Sequence, residues 1–549
     1  MTTQSTNTLL SALLPALNII EASEAEGVSE TYTGSDGVTD VVSYKNAGAA
    51  ITVVMPGPGN TNAGAPAGGW AADDTYNSIE GIEGTRFNDT IYGNAQNNIF
   101  IGGAGADTIY GGEGDDTISY ATATAGVVVS LGTYVDSTGD AAGDRFQSVE
   151  NVIGSAFADT INGTSGNNTI EAGGGNDKIE GFTGADYIDG GNGIDTIYYW
   201  SSITGVNVSM NLAEGETNPG NPSADAGAGD VLVNIENMVG SKWHDTLTGS
   251  NGDNVIDGYL AVGTPADILI GKGGNDTYYV VASNGGQVTQ IVEEAGEGSG
   301  TDLAYTSVSY TLAANVEKLT ALAGRDKAIN LTGNNLANTI VGNEYGNRIN
   351  GGTGADLMQG GKGNDIYYVD STSDRVVETS TGGTTDLVST SVSHALSSYV
   401  ERLYASGSAA INLTGNTLSN VIKGNAGSNK IYGGAGNDTL YGGSGKDFFV
   451  FNTAPSSSSN KDRIMDWSAT YDTIYLENAV FKKLAKTGAL NKAYFATGSV
   501  AKDSNDFIGY DIKTGNLWYD SNGNASGGQV VFANLGAGKG LSSVDIYVI

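Results

Sequence analysis

Fourteen aspartates hold one fixed place in a recurring nonapeptide: Asp89, Asp107, Asp116, Asp159, Asp177, Asp186, Asp195, Asp245, Asp267, Asp276, Asp356, Asp365, Asp438 and Asp447. Each is the sixth residue of a unit that opens on a small residue, nearly always glycine, and closes on an x-apolar-x triplet, as in GGAGADTIY from Gly102. If two units make one coil, side chains 18 apart stack on one edge, so Asp89 lies beneath Asp107, and Asp159 beneath Asp177 and Asp195. Stacked carboxylates repel unless something cancels their charge. A hard cation taking six or more oxygen ligands at about 2.3–2.6 Å does so, and suits carboxylates mixed with carbonyls. Magnesium prefers octahedral, partly hydrated sites, so calcium is the expected ion.

The elements that position these residues follow from the same repeat. There are 21 units in five runs, with Asp sixth in 14 of them and Asn in 7, and the eighth residue is nearly always Ile, Leu or Tyr. Glycines permit a tight turn, and the closing triplet makes a short strand with one buried side chain. A nine-residue period of this kind predicts an all-β parallel β-roll, or β-solenoid. Within each run Asn falls early and Asp late, so opening coils are expected to be capped by polar ladders and later coils to hold metal.

Longer β segments separate the runs and repeat as well. DTISYATATAGVVVSL from Asp116 has counterparts from Asp40 and Asp195, each leading to a second shared piece: SIEGIEGTRF, SVENVIGSAF and NIENMVGSKW. A different element occurs from Asp276 and from Asp365. Alternating β-branched and aromatic residues predict strands here. The expected organisation is an N-terminal segment (1–35), a first β insertion with its run (36–119), four further modules (120–198, 199–279, 280–368 and 369–450) and a C-terminal β cap (451–549).

Composition narrows the function. Sixty-one acidic against 25 basic residues give a formal charge of −36. That excludes nucleic acid as an expected partner, because phosphate binding needs clustered Lys and Arg. No cysteine exists, so disulfides and thiolate metal sites are absent. The first Lys or Arg is Lys45, so a positively charged leader is missing, and the apolar run from Leu9 to Ile20 is too short to span a bilayer. That run is read as a cap on the first module or as an assembly handle.

The nonapeptides from Gly84 to Val450 make the chain resemble the RTX (repeats-in-toxin) calcium-binding proteins, which Gram-negative bacteria export by type I secretion. The tail adds to the resemblance with KDRIMDWSATYDTIYLENAVF, LWYDSNGNASGGQVVFANL and the ending Asp545-Ile-Tyr-Val-Ile549, similar to an uncleaved C-terminal export region. The resemblance implies that the fourteen sixth-position aspartates are calcium ligands. It also implies a chain that leaves the cytosol unfolded through the type I machinery and folds at millimolar calcium, secreted or at the cell surface.

No catalytic constellation accompanies the repeats. The two histidines, His244 and His394, lie outside any HExxH, and no GxSxG is present. The sequences ending at Lys446 and Lys539 lack P-loop spacing and are read as turns. Trp200, Trp243 and Tyr199 are candidates for a sugar-binding face, with core or edge packing as the plainer reading. The expected function is a non-enzymatic structural protein that self-associates with calcium as a surface layer, matrix or filament subunit. The alternatives are a monomeric adhesin that binds cell-surface glycans and a polysaccharide-modifying enzyme. If the polar ladders only cap, Asn347→Ala should lower calcium affinity less than Asp365→Ala in calorimetric titration, and equal losses would refute the distinction.

Overall fold

The computed structural model describes every residue except 1–16, 24–28, 36, 58–68, 133–136, 211, 214, 221–224, 260–265, 283–285, 297, 324–326 and 526. Leu9 to Ala16 of the apolar run, and six residues of the insertion between Gly258 and Asp267, therefore lie outside the described part. The chain forms two compact units, residues 1–300 and 301–549, with the boundary inside the fourth sequence module. Among the described residues there are many short strands, a few single turns of 3-10 helix, and no helix long and apolar enough to cross a membrane.

Each nonapeptide folds as a turn followed by a strand of three or four residues. In most of these strands the middle side chain is the one that enters the interior. At all 21 eighth positions, from Ile91 to Phe449, that side chain is buried. Burying an Ile contributes roughly 1.5–3 kcal/mol each time, so the stack of eighth residues is the core.

Unit 1 builds parallel sheets from strands one coil apart. Val152, Ile170 and Ile188 stand in register in a nine-stranded sheet. Ile161, Ile179 and Ile197 stand in register in the facing one. The inserted segments do not interrupt these sheets. Asn151–Ile153 pairs with Thr117–Ser119, and Val231–Val233 with Tyr187–Asp189, so an insertion is a coil with a longer outer loop. Asn18–Glu21 pairs with Asp40–Ser43 at the other end of the nine-stranded sheet. Leu17 packs against the cluster of Val41, Ile99 and Ile153.

Unit 2 repeats the arrangement. Leu331, Ile349, Tyr367, Val388 and Leu403 align across one sheet, and Leu413, Ile431, Phe449 and Ile474 across another. The final residues change pattern. Ile508–Asp511, Asn516–Asp520 and Gln529–Asn534 pair antiparallel. Their buried Phe532 packs edge-on against Phe451 at 5.0 Å, closing the apolar end of the last coils. An open end of a repeat stack needs such a cover. Ile546–Val548 lies between Thr473–Leu476 and Gly488–Ala489, with Ile546 and Val548 buried.

Candidate metal centres

The fourteen aspartates line the turns, and every one is buried. A single hydrogen bond recurs between coils. The backbone N–H of Asp89 donates to Asp107 Oδ1 at 2.7 Å, that of Asp159 to Asp177 Oδ1 at 2.7 Å, and that of Asp177 to Asp195 Oδ1 at 2.8 Å. Asn347 and Asn420 donate in the same way to Asp365 and Asp438. Each carboxylate thus ties its own coil to the preceding one through Oδ1.

The other oxygen separates the units into two kinds, and residue two of the unit decides which. In ten units residue two is Ser, Thr or Asn, and its N–H donates to the sixth side chain at 2.6–2.9 Å. Seven of these sixth residues are Asn; the others are Asp89, Asp159 and Asp245. Both oxygens of those three are engaged. At Asp159, Ser155 N–H binds Oδ2 at 2.6 Å, while Val127 N–H and the Ser155 hydroxyl bind Oδ1. In the other eleven units residue two has a left-handed backbone, as at Gly103 (φ 89°) and Gly191 (φ 88°), and even at Phe182 (φ 70°), Tyr259 (φ 64°) and Lys272 (φ 84°). That turn aims its N–H elsewhere. Oδ2 of Asp107, Asp116, Asp177, Asp186, Asp195, Asp267, Asp356, Asp365, Asp438 and Asp447 is buried without a hydrogen-bond donor. Asp276 follows the left-handed Lys272.

A buried carboxylate oxygen with no donor is costly unless a cation or proton meets it. Lys45, Lys272 and Lys362 make their ion pairs with Glu21, Glu83, Glu294 and Glu344, not with these aspartates. The first glycine explains how closely the carboxylate folds back: a Cβ on Gly102 would stand 2.6 Å from Asp107 Oδ2. Oxygens so placed suit a hard, oxygen-seeking ion, which would neutralise the row. Without one, burial and then the neighbouring Asp144 push Asp107 up to about 8. Burial likewise raises Asp177 and Asp447 to about 7 and Asp195 to about 6. Asp438 is also pushed up, by burial and by the facing Asp462.

The rows continue into residues that the nonapeptide pattern does not mark. Asp107 N–H donates to Asp144, Asp186 to Asp230, Asp356 to Asp374, Asp438 to Asp462 and Asp447 to Asp472. Glu80, Glu150, Glu236, Glu317 and Glu401 take the same role for Asp40, Asp116, Asp195, Asp302 and Asp386, from 15 to 41 residues away. Their sequence signal is a glutamate after Ile or Val in SIEG, SVEN, NIEN, NVEK and YVER. Buried Tyr120 and Tyr199 donate to Asp144 and Asp230 from the insertions.

The residues considered for a sugar face separate. Tyr199 is buried, whereas Trp200 is 50% exposed and stands beside Tyr198 (4.3 Å between ring centroids) and Tyr259 (6.2 Å). Trp243 lies under the Lys242 ammonium. His394 borders a cleft with Asp374 and Ser397, its Nε2 buried without a partner, and burial lowers its pKa.

The family model of the RTX calcium-binding nonapeptide repeat, which spans four copies, matches residues 83–118, 149–178, 162–197, 236–260, 332–375 and 414–449. The matched stretches hold twelve of the fourteen aspartates; Asp267 and Asp276 fall beyond them. The repeat is a calcium-binding motif, so the chain binds multiple calcium ions. No curated protein matches the chain.

The raised values fix a pH dependence. Each such carboxyl binds its proton more tightly in the folded, metal-free protein than in the unfolded chain, where it titrates near pH 4. The stability that protonation lends is fully present below that value and lost as pH rises through about 6 to 8. In chelator, circular dichroism should therefore show more β structure at pH 5 than at pH 8, and calcium should remove the difference. Equal folding in chelator at both pH values would contradict the assignment.

Proposed function

We propose that this RTX calcium-binding repeat protein is a secreted structural protein that folds on calcium outside the cell and assembles there, as a subunit of a surface layer, matrix or filament. The observation that carries the reading is the row of buried aspartate oxygens without donors. A protein built around such rows is unstable where calcium is scarce. At about 1 mM calcium and a dissociation constant near 10⁻⁴ M, each ion contributes roughly 1.4 kcal/mol. Ten or so ions contribute as much as a whole domain's stability, and almost nothing at cytosolic calcium. Calcium is thereby the folding switch.

The calcium ligands in this reading are the eleven aspartates that follow a left-handed second residue: Asp107, Asp116, Asp177, Asp186, Asp195, Asp267, Asp276, Asp356, Asp365, Asp438 and Asp447. Asp89, Asp159 and Asp245 serve as turn caps equivalent to Asn98, Asn168 and Asn254. Export by type I machinery agrees with Ile546 and Val548 of the terminal address being buried after folding, so that its apolar part is legible only on the unfolded chain. Repetition of one design through both units supports assembly, as does the absence of a recognised catalytic motif in the sequence. The half-exposed Trp200, flanked by Tyr198 and Tyr259, favours one second reading, a glycan-binding adhesin, because such rings stack on sugars.

Calcium titration of the chelated chain, read together by circular dichroism and light scattering, tests the function. Folding with growth into large particles is expected. Folding to a monodisperse monomer would overturn assembly in favour of the adhesin, and no folding at all would remove both readings. The ligand assignment has its own check in native mass spectrometry. Asp177→Asn should lower the number of bound calcium ions, while Asp159→Asn should leave it unchanged.

A further inference from the structure

Among the described residues of unit 2, three carboxylates come together in a group that is not made by nonapeptides alone. Asp365, Glu378 and Asp386 each offer an oxygen, and these oxygens all lie within 4.8 Å of one another with all three residues buried. Asp365 Oδ1 and Asp386 Oδ1 are used, accepting the N–H groups of Asn347 (2.6 Å) and Asp365 (2.7 Å). Their Oδ2 atoms are fully enclosed and have no donor. Burial, followed by the charges of Glu378 and Asp386, pushes Asp365 up to about 7.

Two features show that the cluster is built. Tyr367 occupies an inward eighth position, where most units place an aliphatic residue, and its hydroxyl donates to Glu378 Oε1. The same pair recurs in unit 1, where Tyr278 donates to Glu293. The loop that closes the site contains Gly382-Gly383 and ends at Asp386, the sixth residue counted from Thr381, which makes it a degenerate turn that opens on threonine. A Cβ on Gly382 would stand 2.5 Å from Glu378 Oε2, 3.1 Å from the Thr379 carbonyl and 3.2 Å from the Gly361 carbonyl. Carboxylate and carbonyl oxygens thus converge where only glycine leaves room. Mixed oxygen donors with three buried negative charges suit a hard divalent cation.

We infer that Asp365, Glu378 and Asp386 form one calcium site at the end of the fourth run, in which a glutamate outside the nonapeptides joins the repeat aspartate as a direct ligand and Tyr367 orients it. The inference rests on the proposed calcium-dependent folding. Such a site fastens the insertion to the end of its run, so the fourth run and the segment after it fold as one piece. A proton shared between Asp365 and Glu378 is the competing way to hold the cluster together, and it needs no metal.

The test uses the full chain and calcium alone. In native mass spectrometry Glu378→Gln should carry one calcium fewer than the unaltered chain. Tyr367→Phe keeps every carboxylate, so it should retain the ion count while weakening one site about tenfold, as loss of an orienting partner does. Should Glu378→Gln fail to fold, crystals of the unaltered chain grown in calcium decide the matter. Anomalous density among the three carboxylates is expected, and its absence overturns the site. An unchanged ion count and affinity in Glu378→Gln would also overturn it, with calcium binding elsewhere intact. An unaltered chain that binds no calcium would instead remove the reading beneath it.

Discussion

The structure depends on a carboxylate that uses one oxygen to hold the previous coil and leaves the other bare. The bond from Asp177 N–H to Asp195 Oδ1 is repeated along both units with little change in length. It brings successive turns together and at the same time lines up charge. Sheet pairing and the apolar stack would close the same coils with any polar residue there. Only an acidic one makes closure conditional on a cation.

The chain manages that condition by starting each run with turns that need no metal. Ser155, Thr164, Ser241 and Asn343 fold their own N–H onto the sixth side chain, so their coils are satisfied by protein alone. These coils give the later, charged ones a finished edge to pair with. Three open turns carry the left-handed conformation on Phe182, Tyr259 and Lys272 rather than on glycine. That conformation costs a non-glycine residue on the order of 1 kcal/mol, which the tie between coils must offset. At the far end the sheets leave the repeat altogether. Tyr519 and Phe532 of the antiparallel strands pack on Phe481, and Phe532 meets Phe451 of the last coils.

Insertions are part of the roll. Asp144, Asp230 and Asp374 accept the same inter-coil bond as the repeat aspartates, and Glu150, Glu236 and Glu401 take the place of an aspartate with a longer side chain. The intervening loops vary in length because nothing inside the coil depends on them. Tyr120 and Tyr199 donate to Asp144 and Asp230 from within, and Tyr44 donates in the same way to Asp74.

Much of this was legible in the residues themselves. The nine-residue period determined the coil, the eighth position determined the core, and Asp in register determined that a hard cation belongs to the turns. Those are local or strictly periodic properties, so one chain suffices to read them. The choice of residue two stands in the sequence too, since Ser, Thr or Asn there always accompanies a capped sixth side chain. What that choice does to Asp89, Asp159 and Asp245 emerged only when their second oxygens could be followed to their donors. Glu80, Glu317 and Glu378 were hidden for a different reason. Each reaches its row across a loop of its own length, and no spacing in the sequence states where such a loop returns. Closure of the coils decided that, because only the parallel pairing of distant strands sets a side chain from one turn against a carboxylate of another.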